Sequence, residues 1–150
     1  VVGSPTIGEG CWIGAFTLID GSGGLTIGKG CDISSGAQIV THSSARRTVT
    51  ARAFPDVERA PVRIGDHVFI GTNAVILMGA EIGDHSVIAA GAVVTEHARF
   101  PPFSTIAGVP ARRIGDVRWR DEIPGCGATG VEAAPPPQDA AARDGDGETT

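Results

Sequence analysis

Aliphatic residues return at every sixth position in three blocks: Ile7, Ile13 and Ile19; Ile27, Ile33 and Ile39; then Ile64, Ile70, Ile76, Ile82, Ile88 and Val94. A fixed short period of this kind overrides local helix and strand propensities. Six of the twelve are followed directly by glycine, as in Ile7-Gly8 and Ile70-Gly71. The fourth position after each aliphatic is mostly small, with Cys11, Thr17, Cys31, Ala37, Ser43, Ala74, Ala80, Ser86 and Ala92, Val68 being larger. Period six is not the period of a helix, but it contains the two-residue alternation of a strand. Each unit therefore reads as one short strand and one turn, with the glycine after the aliphatic supplying the unusual backbone angles.

Three units close a triangular coil, and coils stacked at roughly 4.8 Å give every strand amide a partner above or below. The columns expected are Ile7, Ile27, Ile64, Ile82 on one side, Ile13, Ile33, Ile70, Ile88 on the second, and Ile19, Ile39, Ile76, Val94 on the third. This is an all-β parallel helix of about four coils. Two insertions interrupt it: a corner loop at Asp20-Gly21-Ser22-Gly23-Gly24, and a long excursion over about residues 42–63. Structureless loops of that length are uncommon in compact domains and tend to be functional. After Val94 the period breaks at Arg99-Phe100-Pro101-Pro102. A strand-like Phe103 to Ile106 follows, and Ile114 to Glu122 reads as a short C-terminal helix. Residues 1–125 form one domain, and 126–150, rich in Ala, Pro, Gly and Asp, read as a disordered tail.

Glycine, 22 of 150 residues, suits a chain that turns often, and the absence of tyrosine argues against an aromatic-packed core. The net charge of −5 is concentrated in residues 126–150, which hold five acids against one arginine; the rest is close to neutral, so no basic field for nucleic acid exists. Apolar runs fall short of a membrane span and no signal segment opens the chain, which points to the cytoplasm. The start at Val1 is that expected of a processed or truncated product. Three cysteines, Cys11, Cys31 and Cys126, form no metal-ligand spacing and fit a reducing compartment, with Cys11 and Cys31 as small core residues.

Beyond the hexapeptides, the chain carries Ile39-Val40-Thr41-His42 before the long loop, Ala60-Pro61-Val62-Arg63-Ile64-Gly65-Asp66-His67 after it, Gly91-Ala92-Val93-Val94-Thr95, and Ala107-Gly108-Val109-Pro110-Ala111-Arg112. Together these resemble the left-handed parallel β-helix acyltransferases, in particular the branch of sugar O-acetyltransferases and antibiotic-inactivating acetyltransferases. The resemblance runs from about Ile7 to Ile114 and supplies the left hand, since most parallel crossovers are right-handed.

The resemblance implies acetyl-CoA as co-substrate, no metal, and a homotrimer with active sites between subunits. It also implies His42 as the general base that takes a proton from the acceptor. Imidazole, titrating near pH 6.5, is compatible with that role. Donor contacts carried over by motif are Thr72, Ala90, Thr95 and Arg112, with Arg113 beside it, the arginines meeting phosphate in a forked geometry. Where relatives show Thr-Lys-Asp after the last coil, this chain has Thr95-Glu96-His97, and Glu96 would repel a phosphate.

Asp20 and Ser22 are candidate hydroxyl-binding groups for a sugar-like acceptor, while Asp20, Asp56 and Glu58 are all open as the partner orienting His42. The 42–63 loop holds Arg46, Arg47, Arg52, Arg59 and Arg63 against Asp56 and Glu58. It reads either as a solvated or subunit-contacting loop or as an attractant for a phosphorylated or acidic acceptor. His67 and His85, one coil apart, should stack as turn residues rather than ligate metal, and His97 should lie at the surface. O-acetylation leads; N-acylation of an amino sugar, metal-dependent hydration at His67 and His85, and a non-catalytic scaffold are the rivals.

Overall fold

The computed structural model describes residues 1–126, so the expected tail from 127 onward lies outside the described residues. The chain coils into a three-sided solenoid of short parallel strands. On the first side the ladder runs through Thr6–Ile7, Leu25–Ile27, Val62–Ile64, Glu81–Ile82 and Arg99–Phe100, aligning Ile7 with Ile27, Ile27 with Ile64, Ile64 with Ile82 and Ile82 with Phe100. The second side aligns Ile13, Ile33, Ile70, Ile88 and Ile106, and the third Ile19, Ile39, Ile76 and Val94. The expected columns are thus present side chain for side chain. From Ile19 upward their isoleucines and Val94 are buried, and the small residues Cys31, Ala37, Ala74, Ala80 and Ala92 fill the corners. Cys31 is fully buried, and burial pushes its thiol up to about 11, the state of an inert core residue.

Three features differ from the sequence reading. The solenoid has about five turns, not four, because the period continues through the apparent break. Phe100 takes the place of the next aliphatic beside Ile82 and Ile106 the one after it beside Ile88. The short C-terminal helix is absent. Arg112–Asp116 is a strand paired antiparallel to Ser104–Ala107, followed only by a 3₁₀ turn at Arg120–Glu122. The edge of the last parallel strand needs a hydrogen-bonding partner, and this need overrides local pattern.

The third correction concerns glycine. The left-handed backbone falls three residues after the aliphatic, at Phe16, Gly30, Gly36, His67, Asn73, Gly79, His85, Gly91, His97 and Phe103, and not directly after it. Gly, Asn and His are the residues that tolerate that conformation best. The glycine following the aliphatic serves close approach instead: a Cβ on Gly71 would lie 2.4 Å from the Ala90 amide of the next coil, whereas one on Gly91 would meet open space. Gly71→Ala should therefore destabilise by about 2–3 kcal/mol through overpacking and Gly91→Ala by only about 1 kcal/mol. Urea midpoints of the two variants check this order.

Candidate active site

At the end of the second coil the chain leaves the solenoid. His42–Ser43 pairs antiparallel with Glu58–Arg59, and the excursion between them holds one helical turn, Ala45–Val49. The loop is thus a ribbon with its own hydrogen bonds. It is anchored to the coils where the Ala60 amide donates to the Thr41 carbonyl, and the Gly79 amide to that of Ala60. His42 stands at its root, fixed by Thr41, which is fully buried, yet with its own side chain 45% exposed.

Beneath His42 lies Asp20, only 2% exposed. One carboxylate oxygen, Oδ2, accepts from the Thr41 amide at 3.0 Å, from the Thr41 hydroxyl at 3.0 Å and from His42 Nδ1 at 2.7 Å, while Oδ1 accepts from the Ser22 amide at 2.9 Å. The Thr41 hydroxyl in turn accepts from the Gly23 amide at 2.8 Å. Burial alone would push the Asp20 carboxyl up. The hydrogen bonds from Ser22, Thr41 and His42 outweigh it and hold the carboxyl well below the usual carboxylate range. A carboxylate that stays ionised accepts only, so the proton of neutral His42 resides on Nδ1, and Nε2 carries the free lone pair.

The two-residue insertion after Ile19 makes this possible. It lets Asp20 sit in an extended strand, Leu18–Gly21, while Gly21 to Gly24 close a tight turn under Thr41. A Cβ on Gly23 would lie 2.2 Å from the Thr41 carbonyl oxygen, so the turn can approach only as glycine. Of the three acids open as partners of His42, Asp20 is the one in contact. Glu58 instead reaches Arg46 at 3.7 Å, and Asp56 is exposed. As a hydroxyl-binding group Asp20 is poorly placed, its oxygens being saturated by these donors. Ser22 is exposed beside it.

The remaining candidates lie elsewhere on the chain. Thr72 and Ala90 are exposed at the corner between the second and third sides, on successive coils, where the Gly91 amide donates to the Thr72 carbonyl. Thr95 is half-buried after the third-side strand Val93–Val94. Arg112 is exposed and has no acidic partner among the described residues, whereas Arg113 is held by Asp116 and by the Ser104 hydroxyl. One chain brings His42, Asp20 and Ser22 together, but it leaves Thr72 and Ala90 on another corner, Thr95 on the same corner two stacking steps higher, and Arg112 and Arg113 in the closing strand.

His67 and His85 do stack, with ring centroids 5.0 Å apart, and Phe103 extends the stack 5.4 Å beyond His85. Sequence reasoning did not place Phe103 there, although it is 18 residues from His85, the coil step that relates His85 to His67. No cluster of three or more His, Cys, Asp or Glu side chains suited to a metal occurs among the described residues. None of their helices is long and apolar enough to cross a membrane.

Residues 6–40 and 61–96 match the family described as the hexapeptide repeat of succinyl-transferase. Among solved structures, the fold is similar to a maltose O-acetyltransferase from Clostridium difficile 630, with TM-score 0.67 and 30% identity over 76% of this chain and 59% of that one. A hexapeptide-repeat acetyltransferase from Vibrio cholerae O1 biovar eltor, solved with acetyl coenzyme A, gives 0.65 and 33% over 76% and 61%. The polySia-specific acetyltransferase NeuO gives 0.60 and 26% over 75% and 52%. The chain thus spans about three fifths of the length of the first two. No curated protein matches the sequence. The chain carries the hexapeptide repeat of that family over residues 6–40 and 61–96, and the solved structures it resembles are acetyltransferases.

Proposed function

We propose that the chain carries the catalytic half-site of an acyltransferase that moves an acetyl group from acetyl-CoA to the hydroxyl of a small, sugar-like acceptor. The observation that carries this reading is the His42–Asp20 pair, in which a buried carboxylate fixes the ring tautomer and turns Nε2 outward. Nε2 takes the acceptor proton as the oxygen attacks the thioester carbonyl. The new O–C bond forms, the C–S bond breaks, and the proton passes to the departing thiolate. The imidazolium formed in between is stabilised by Asp20, which stays ionised. Neither step needs a metal. An amine would be served by the same base, so O- and N-transfer share this geometry.

Arg112, whose guanidinium donates to the Ala111 carbonyl at 3.0 Å but meets no carboxylate among the described residues, is assigned to a phosphate of the donor. The separation of His42 from Thr72, Ala90 and Arg112 supports assembly as a trimer, in which one copy's donor-binding corner faces its neighbour's His42.

Release of free thiol from acetyl-CoA, followed against sugars, amino sugars and hydroxylated antibiotics, tests the reading. Acceptor-dependent thiol release is the expected result. An acetyl-CoA that neither reacts nor shifts the melting temperature would leave a scaffold. Arg112→Ala should raise the donor KM by about tenfold or more and change kcat little, the pattern of a lost ground-state contact.

A further inference from the structure

The five arginines of the excursion are not equivalent. Arg46 lies 3.8 Å over the Phe54 ring and 3.7 Å from Glu58, clamping the far end of the loop to its root. Arg63 pairs across one coil with Glu81 at 3.4 Å. Arg47, Arg52 and Arg59 have no carboxylate partner among the described residues.

Their placement is specific. The Arg52 amide donates to the Arg47 carbonyl at 2.9 Å, and Ala51 and Arg52 both take left-handed backbone, with φ of 49° and 67°, which folds the chain back beside the helical turn. The two guanidinium-bearing residues then line, with Ser44, Thr48 and Ala51, an open cavity of about 340 Å³. Two cations and two hydroxyls around one cavity form a donor-rich, positively charged receptacle that repels itself until an anion enters. Ser44 lies two residues from His42, so the cavity adjoins the base along the chain. Arg59 is the direct cross-strand partner of His42, and such partners share a face of the ribbon.

We propose that the acceptor is anionic: its phosphate, sulfate or carboxylate group occupies the Arg47–Arg52 cavity, with Arg59 flanking, while its nucleophile lies at His42. This rests on the acyl-transfer reading above and narrows its acceptor class. The guanidinium fork favours a tetrahedral or planar oxyanion over a neutral sugar face.

Calorimetric titration of the intact protein with glucose 6-phosphate, glucuronate and glucose tests it, beside thiol release with the same three. The expected result is binding of the charged sugars at least tenfold tighter than glucose, weakening with salt. Arg47→Ala/Arg52→Ala and the milder Arg52→Gln should shrink that ratio, and the acetyl-CoA KM should not move. Equal binding of charged and neutral sugars overturns the proposal. So does a tenfold rise in acetyl-CoA KM in the variants, which would give these arginines to the donor's phosphates. Charged-sugar binding that follows the arginines in a protein without thiol release would uphold the anion site while the acyl-transfer reading fell.

Discussion

His42→Ala should fold, keep its urea midpoint close to that of the parent, and lose acyl transfer by about 10²–10⁴-fold in kcat, the usual worth of a positioned general base. The fold should survive because His42 contributes a half-exposed ring and one hydrogen bond, while the donors from Thr41 and Ser22 still engage Asp20 after the ring is gone. Thiol release at saturating acetyl-CoA reads the loss. Near-parental turnover would remove His42 from the chemistry and leave the Asp20 network as a purely structural device.

Asp20→Asn should damage both stability and activity. Oδ2 accepts three hydrogen bonds and Oδ1 accepts one from the Ser22 amide. An asparagine amide cannot replace that pattern, because its NH₂ group must face either the Thr41 N–H or the Ser22 N–H. A buried donor set against a donor costs about 1–3 kcal/mol. In the same variant Nδ1 of His42 loses its fixed acceptor, so the ring samples the wrong tautomer and orientation, and kcat should fall by about 10²-fold. The double variant with His42→Ala should be no slower than His42→Ala alone, since the two groups act as a unit.

The same residue sets an acid limit. Its folded-state carboxyl lies below the ordinary value near 3.9, so the unfolded chain binds the proton first. The stabilisation is fully present above about pH 4 and drains away as the pH falls below it. Asp20→Asn, which has no such carboxylate to protonate, should show a flatter stability profile in that range, and denaturation midpoints between about pH 2 and 6 check this.

How much of this was legible beforehand follows from which contacts are periodic. Every register match from Ile7 to Val94 could be read off the spacing, because a coil of fixed length carries each inward side chain onto the one before it. Phe100 hid the fifth turn by being aromatic where the other positions are aliphatic, although its spacing from Val94 is regular. Arg112–Asp116 misled because its one large apolar residue, Ile114, is 67% exposed and so carries no core signal; only the neighbouring edge makes it a strand. The place of His42 at the mouth of the loop was legible, but the choice among Asp20, Asp56 and Glu58 as its partner was not, since Asp20 reaches the ring through an insertion that breaks the repeat. Nor could composition tell the clamped Arg46 from the unpaired Arg47, their carboxylate and aromatic neighbours being set by how the excursion folds.

The corner turn under Thr41 has a further consequence. Because Asp20 and His42 meet across a single stacking step, their registration depends on the length of Gly21–Gly24 and on nothing higher in the solenoid. Whole turns could be spliced in or cut out above Ile82 without moving the pair, whereas deletion of one residue from that corner would slide the carboxylate out from under the ring. The height of the spiral and the aim of the His42 ring are thereby separate design variables.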